Sequence, residues 1–250
     1  MDKVIKVVNV VCFVTFLAYA YAMFIHPVIN SGGSWKYVHS VWYSWQALNV
    51  GMLAFSSSVI AFNISKYNGK KKREREFVAA KALLPESLSE LTKYLKKCTP
   101  MLVNAWERAS DCSDRCSTPL VHSHPELPQS YRAVFSSCIA SAENEVGEYL
   151  AYILMRLQIH HSRLSSLQNE FSEDEHVSQI PENIMSYMYC LAELQALINK
   201  LFGFARSIEG FDGNNLTLED FGTAYCMLNI EVDDIDGLWG FTTRVYENRR

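Results

Sequence analysis

The sequence predicts an all-α protein: an N-terminal two-helix transmembrane hairpin followed by a cytoplasmic helical bundle with one long helix. Three observations predict it. Residues 7–25 and 41–64 are runs of nineteen and twenty-four positions without a charge, and about 20 apolar residues make a helix that crosses the hydrocarbon core of a bilayer. From residue 77 onward apolar residues recur at intervals of three and four, and no region shows sustained alternation. Charge is also divided. Residues 1–76 hold nine Lys and Arg against three Asp and Glu, a net of +6, whereas 77–250 hold fourteen against twenty-four, a net of −10. The chain therefore divides into a hairpin (1–65), a basic juxtamembrane segment (66–76) and an acidic helical domain (77–250). With 49% hydrophobic residues and a net charge of −4, it is neither disordered nor a generally basic nucleic-acid binder.

The first span is expected over 7–25, closed by His26-Pro27. A cleaved signal peptide is the rival reading. The apolar run is long for one, and Tyr19, Tyr21, Met23 and Phe24 make a poor small-residue cleavage site. Residues 27–40, with Asn30, Ser31, Gly32, Gly33 and Ser34, read as a turn-rich loop. Trp35, Tyr37, Trp42 and Tyr43 sit there as an interfacial aromatic belt. The second span follows over 41–64. Lys3 and Lys6 precede the first span, and Lys66, Lys70, Lys71, Lys72, Arg73 and Arg75 follow the second, while the loop has Lys36 alone. Lys and Arg favour the cytoplasmic side, so both termini are expected there. The basic cluster is read as a topology signal that also meets anionic head groups.

Neither span is apolar all round. Asn9, Cys12, Phe16, Tyr19 and Met23 share a face of the first, and Gln46, Asn49, Ser56 and Ser57 a face of the second. Unpaired amides in hydrocarbon are costly, so these faces should meet other helices or water. Helix–helix hydrogen bonding is the plainer reading, and the lining of a pore or water defect the functional one. No charge lies within either span, which argues against a proton relay or an ion-coupled transporter.

In the acidic domain, Leu84, Leu88, Leu91 and Leu95 form a first stripe, with Pro85 a candidate break, and a short segment follows near 101–109. A loop over 110–128 comes next. The longest pattern runs Tyr131, Phe135, Cys138, Ala142, Val146, Tyr149, Ile153, Leu157, His160, Leu164, Leu167, Phe171. It is one helix of about 60 Å or two with a kink near Gly147. Another stripe, from Tyr187 through Leu191, Leu194, Ile198, Leu201 and Ala205 to Ile208, starts after Pro181 and ends at Gly210. Thr217 caps a short helix, and Asp233 or Asp234 starts the last. Trp239, Phe241 and Tyr246 belong to the packing at that end, and Arg249-Arg250 to a solvated tail. Such long stripes serve an intramolecular bundle or self-association.

No enzyme signature stands out: no Gly-rich phosphate loop, no G-x-S-x-G elbow, no H-E-x-x-H. Asp212-Gly-Asn-Asn-Leu216 begins like a calcium loop but has Leu216 at the third ligand position, so it reads as a turn. Cys138 and Cys190 lie on or near apolar stripes and act as small hydrophobes. The one grouping with metal-ligand chemistry is Cys112-x3-Cys116-x5-His122-x-His124. Its spacing departs from the common zinc patterns, so the expectation is a polar loop, with no metal or other cofactor assigned. His160 falls on the apolar stripe as a hydrogen-bonded core histidine, with His161 pointing elsewhere.

Two function classes remain: a membrane effector that perturbs or permeabilises the bilayer when its domain is triggered, and a membrane-tethered scaffold or adaptor. Spans 7–25 and 41–64, then Lys70-Lys-Lys-Arg73 and a helical cytoplasmic domain, resemble the two-transmembrane effectors of bacterial anti-phage defence, both SLATT-type and retron-associated. The resemblance covers the whole chain as architecture and rests on no diagnostic motif. It implies a toxic protein of the bacterial inner membrane, self-associating and held in check by a regulatory protein or ribonucleoprotein. It transfers no catalytic residue. The net charge of −10 favours a basic protein partner for the domain over direct nucleic-acid contact.

Overall fold

The computed structural model describes residues 2–110, 120–171 and 180–248. Every regular element among them is helical: α1 (Asp2–Ala20), a π-helical turn (Tyr21–Ile25), α2 (His26–Asn30), α3 (Trp35–Ser44), α4 (Gln46–Ser110), α5 (Tyr131–Ser141), α6 (Asn144–Glu170), α7 (Pro181–Ala205), α8 (Leu218–Met227), a 3₁₀ turn (Val232–Asp234) and α9 (Leu238–Asn248). The chain forms two compact units, Met1–Lys71 and Lys72–Arg250, whose boundary falls inside the basic segment and within α4.

In the first unit the helical path runs beyond the expected end at residue 25, on to Asn30. Pro27 sits at the start of α2, where a missing N–H is least costly. It still leaves the Met23 carbonyl, four residues earlier, without its helical donor. Trp42 Nε1 takes that place, donating to Met23 O at 2.8 Å. The turn is confined to residues 31–34, where Gly32 and Gly33 adopt φ of +59° and +88°, a conformation that side chains with a Cβ resist. The expected loop therefore contains a helix of its own. α3 covers its last six residues and the first four residues of the expected second span. A break at Trp45 (φ −105°, ψ 22°) precedes α4. Val7–Asn30 and the start of α4 are long and apolar enough to cross a membrane, and their apolar side chains are mostly exposed.

Within the second unit, α4 passes Pro85 and Pro100 without a break, so neither the expected interruption at Pro85 nor a separate helix near 101–109 is present. An interior proline costs about 3 kcal/mol. Against that, Leu84, Leu88, Leu91, Leu95, Met101 and Leu102 are all fully buried along the stripe that crosses both prolines, at about 1.5–3 kcal/mol each. Burial wins. The long stripe of 131–171 is two helices, but the break lies at Ala142 and Glu143, both extended, rather than near Gly147. Gly147 sits in the first turn of α6, where a Cβ would lie 3.5 Å from the Ile139 carbonyl of α5. Tyr131, Phe135, Cys138, Ile153, Leu157 and Leu164 are buried as the stripe requires.

The most enclosed helix is α7, buried continuously from Met188 to Ile198. Tyr149 of α6 donates to its Leu197 carbonyl at 3.2 Å, Gln195 reaches Thr92 of α4 at 3.4 Å, and Tyr189 stacks on Phe221 of α8 at 4.9 Å. It ends at Ala205, and Ile208 is left 73% exposed. Thr217 and Asp220 form a capping box at α8. Asp233 and Asp234 occupy the 3₁₀ turn, and the last helix starts later, at Leu238 after Gly237 (φ +81°).

Candidate functional site

The hairpin's polar residues meet along one seam. On α1, Asn9, Cys12 and Tyr19 are half-buried; on α4, Asn49, Met52, Ser56, Val59 and Asn63 are, at spacings of three and four, while their neighbours are exposed. Near one end, Asn9 and Asn63 exchange amide hydrogen bonds: Asn9 Nδ2 donates to Asn63 Oδ1 at 3.1 Å and Asn63 Nδ2 to Asn9 Oδ1 at 3.3 Å. Near the other, Tyr19 Oη donates to Asn49 Oδ1 at 2.7 Å. Asn49 Nδ2 also donates to the Trp42 carbonyl at 3.3 Å, next to the break at Trp45. One side chain thus ties α1, α3 and α4. Such bonds are worth about 0.6–2 kcal/mol each in lipid; their larger effect is on register.

Of the expected polar residues, the structure gathers Asn9, Asn49 and Ser56. Gln46 is exposed at the head of α4, and Ser57 faces outward with its hydroxyl on the Leu53 carbonyl at 2.8 Å. Asn63 was not among the expected residues, although Asn49, Ser56 and Asn63 stand seven apart. Lys66, Lys70, Lys71, Lys72, Arg73 and Arg75 are all exposed on α4. Lys72 pairs with Glu76 at 3.9 Å, an exposed pair of small energetic weight.

The grouping of Cys112, Cys116, His122 and His124 has both cysteines outside the described residues. Its histidines diverge. His122 is exposed, and His124 turns onto α6, where its Nε2 lies 3.4 Å from Nε2 of His161, with ring centroids 4.3 Å apart. Gln168 Oε1 accepts from the His124 backbone N–H at 2.7 Å. Nδ1 of His161 meets the Tyr94 hydroxyl at 2.9 Å, so the residue expected to point elsewhere joins a cluster that sequence spacing did not reveal. His160 is buried as expected, but neither ring nitrogen has a hydrogen-bond partner among the described residues. Burial, then the charges of His124, Arg156, His161 and Arg163, hold its pKa down at about 3. Burial first and His161 second lower that of His124; burial first and Arg132 second lower that of His161. All three are therefore neutral at pH 7, and neutral rings can stand this close. No group of three or more His, Cys, Asp or Glu is arranged to hold a metal among the described residues.

The seam joins α1, α3 and α4 by side-chain hydrogen bonds, and the histidine cluster joins the 120–130 loop, α4 and α6. No protein-family model, no curated protein and no solved structure matches the chain.

Proposed function

We propose that the chain is a two-span membrane anchor whose acidic helical domain engages a protein partner at the cytoplasmic face. The observation that carries this reading is the inward seam. The amides of Asn9, Asn49 and Asn63 are spent on one another, on Tyr19 and on backbone carbonyls, leaving an outer surface of Val7, Val11, Phe13, Leu53, Ile60 and Phe62 suited to lipid tails. In a hairpin closed in this way these three amides are not free to line a pore. The distribution of Lys and Arg supports both termini in the cytoplasm.

Exchange of residues 1–65 for an unrelated two-span hairpin tests the anchor. The chimera should keep partner capture and any activity of the full chain; loss of both, with the chimera still in the membrane fraction, would overturn the anchor reading.

A second reading, the membrane-perturbing effector of bacterial defence, is favoured by one observation: the Gln46 amide stands exposed outside the seam. Expression of the chain alone in a bacterium, with membrane potential and survivors followed together, separates the two. Unchanged potential and growth support the anchor. Rapid depolarisation with death, abolished by Gln46→Leu without loss of insertion, supports the effector.

A further inference from the structure

The second unit carries an open cleft of about 900 Å³ that neither the anchor reading nor the histidine cluster uses. Two helix faces and a loop build it. Glu145, Glu148, Tyr149 and Tyr152 stand at i, i+3, i+4 and i+7 on α6, the spacing of one helical face, and all four line the cleft. Across from them α7 contributes Tyr189 and Glu193, one turn apart. The segment 211–217 between α7 and α8 closes a third side, and Tyr246 of α9 is a fourth tyrosine in the lining.

The chemistry of this lining has one sign. No Lys or Arg lines the cleft, whereas four carboxylates do: Glu145, Glu148, Glu193 and Asp212. Two are compensated from behind. Glu193, 4% exposed, holds the Arg156 guanidinium and accepts from the Tyr152 hydroxyl at 3.2 Å. Asp212 pairs with Lys200 at 3.0 Å. Glu145 and Glu148 are exposed and form no ion pair among the described residues, which leaves the cleft about two negative charges. The Tyr152 ring, 39% exposed, adds a second attraction for cations, since the face of an aromatic ring carries negative charge density; Tyr189 is buried and its face is covered by Phe221.

We propose that this cleft binds an organic cation, an alkylammonium or guanidinium group, held against the exposed Tyr152 ring with its charge against Glu145 and Glu148. The carboxylates supply attraction at a distance. The ring selects an organic cation over a hydrated metal ion, because a ring face rewards a weakly hydrated, polarisable charge. Two sources carry this chemistry: a free polyamine, or an arginine-bearing segment of a basic protein. The inference stands whether the hairpin anchors or perturbs the membrane.

Calorimetric titration of the purified full-length chain in neutral detergent tests it, with spermidine in one arm and a blocked peptide containing two arginines in the other. The same peptide with citrulline in place of arginine is the neutral control. Saturable binding of spermidine or the arginine peptide, at least tenfold tighter than the citrulline peptide, is the expected result. The arm that binds names the source. Glu145→Gln with Glu148→Gln should weaken binding about tenfold. Asp233→Asn with Asp234→Asn, the same charge change on the 3₁₀ turn outside the cleft, should alter it less than twofold. Tyr152→Leu should weaken binding several-fold and Tyr152→Phe should restore it. Equal losses in the two charge variants would overturn the site in favour of a diffuse acidic surface. Insensitivity to Tyr152→Leu would overturn the role of the ring, and absence of saturable binding in both arms would overturn the proposal outright.

Discussion

The two parts of α4 solve opposite problems with the same periodicity. From Asn49 to Asn63 its half-buried face repeats Asn, Ser and Asn at seven-residue intervals, and no residue there is fully buried. From Leu84 to Leu102 the repeat carries leucine and methionine, all fully buried. The charged surface of the second part lies on the outside, at Lys93, Lys96 and Lys97. On the proposed reading, in which the first part crosses a bilayer, the difference teaches which interaction is scarce in each solvent. In water, removal of apolar surface is the driving force, so leucine dominates the buried stripe, with Ser87 and Thr99 as the polar side chains taken in beside it. In a hydrocarbon solvent, a leucine gains little by leaving lipid for protein; hydrogen bonds become the specific interaction and move inward.

That comparison can be broken by exchanging substitutions between the two parts. The largest effect is expected for Leu88→Ala. A fully buried leucine lost to a cavity costs about 2–5 kcal/mol, read as a lower urea midpoint of the helical domain. Leu53→Ala, 71% exposed, should leave that midpoint unchanged within about 0.5 kcal/mol. A smaller and pH-dependent effect belongs to the histidine cluster. All three rings have folded-state pKa values below the unfolded value, so the native state resists protonation. Their contribution is complete above about pH 6.5 and is lost as pH falls through the unfolded value toward the folded one, for His160 about 3. Each proton taken up only on unfolding costs about 1.4 kcal/mol per pH unit. Urea midpoints between pH 7 and 5 should therefore fall, and His160→Leu should flatten the slope. An unchanged slope in that variant would remove His160 from the account.

Next in size is the seam. Asn63→Leu leaves Asn9 without its partner and should cost the hairpin about 0.6–2 kcal/mol. The change should register as earlier loss of helicity when the detergent-solubilised chain is titrated with a denaturing detergent. A hairpin indifferent to both Asn63→Leu and Asn49→Leu would show that its register is set elsewhere. The smallest effect is reserved for Lys72→Ala, which breaks an exposed i, i+4 pair with Glu76 and should change stability by no more than about 0.5 kcal/mol.

Much of the helical domain is legible in the sequence because its stripes are buried as written. Tyr131, Phe135, Cys138, Ile153, Leu157, Leu164, Leu191 and Leu201 all reach the core, and the Thr217 cap is in place. What misleads are residues whose effect depends on a distant partner. Pro27 reads as a terminator until Trp42 covers the Met23 carbonyl. Pro85 reads as a break until the leucines on either side of it are buried together. His160 reads as a hydrogen-bonded histidine because the pattern shows burial and not what surrounds the ring. The seam was half legible: Asn9, Tyr19 and Asn49 stand out on the faces of their spans, but Asn63 and the pairing of Tyr19 with Asn49 are fixed by how the hairpin folds back. The cleft was not legible at all, since its walls come from α6, α7, α9 and the loop at 211–217.

The indole of Trp42 on the Met23 carbonyl also bears on how the chain is made. On the proposed reading of the hairpin as a membrane anchor, a ribosome delivers Met23 well before Trp42, and in the interval the first apolar segment lacks the donor that Trp42 supplies, which hydrocarbon cannot replace. The first segment is thus a poor passenger by itself, and the two segments leave the insertion machinery best as a pair. Translation arrested shortly after residue 34 should give a segment that alkaline carbonate washes out of the membrane, and arrest well past residue 64 one that stays. Trp42→Phe should extend the washable interval to the full hairpin, making a single nitrogen the clasp that commits a newborn chain to its bilayer.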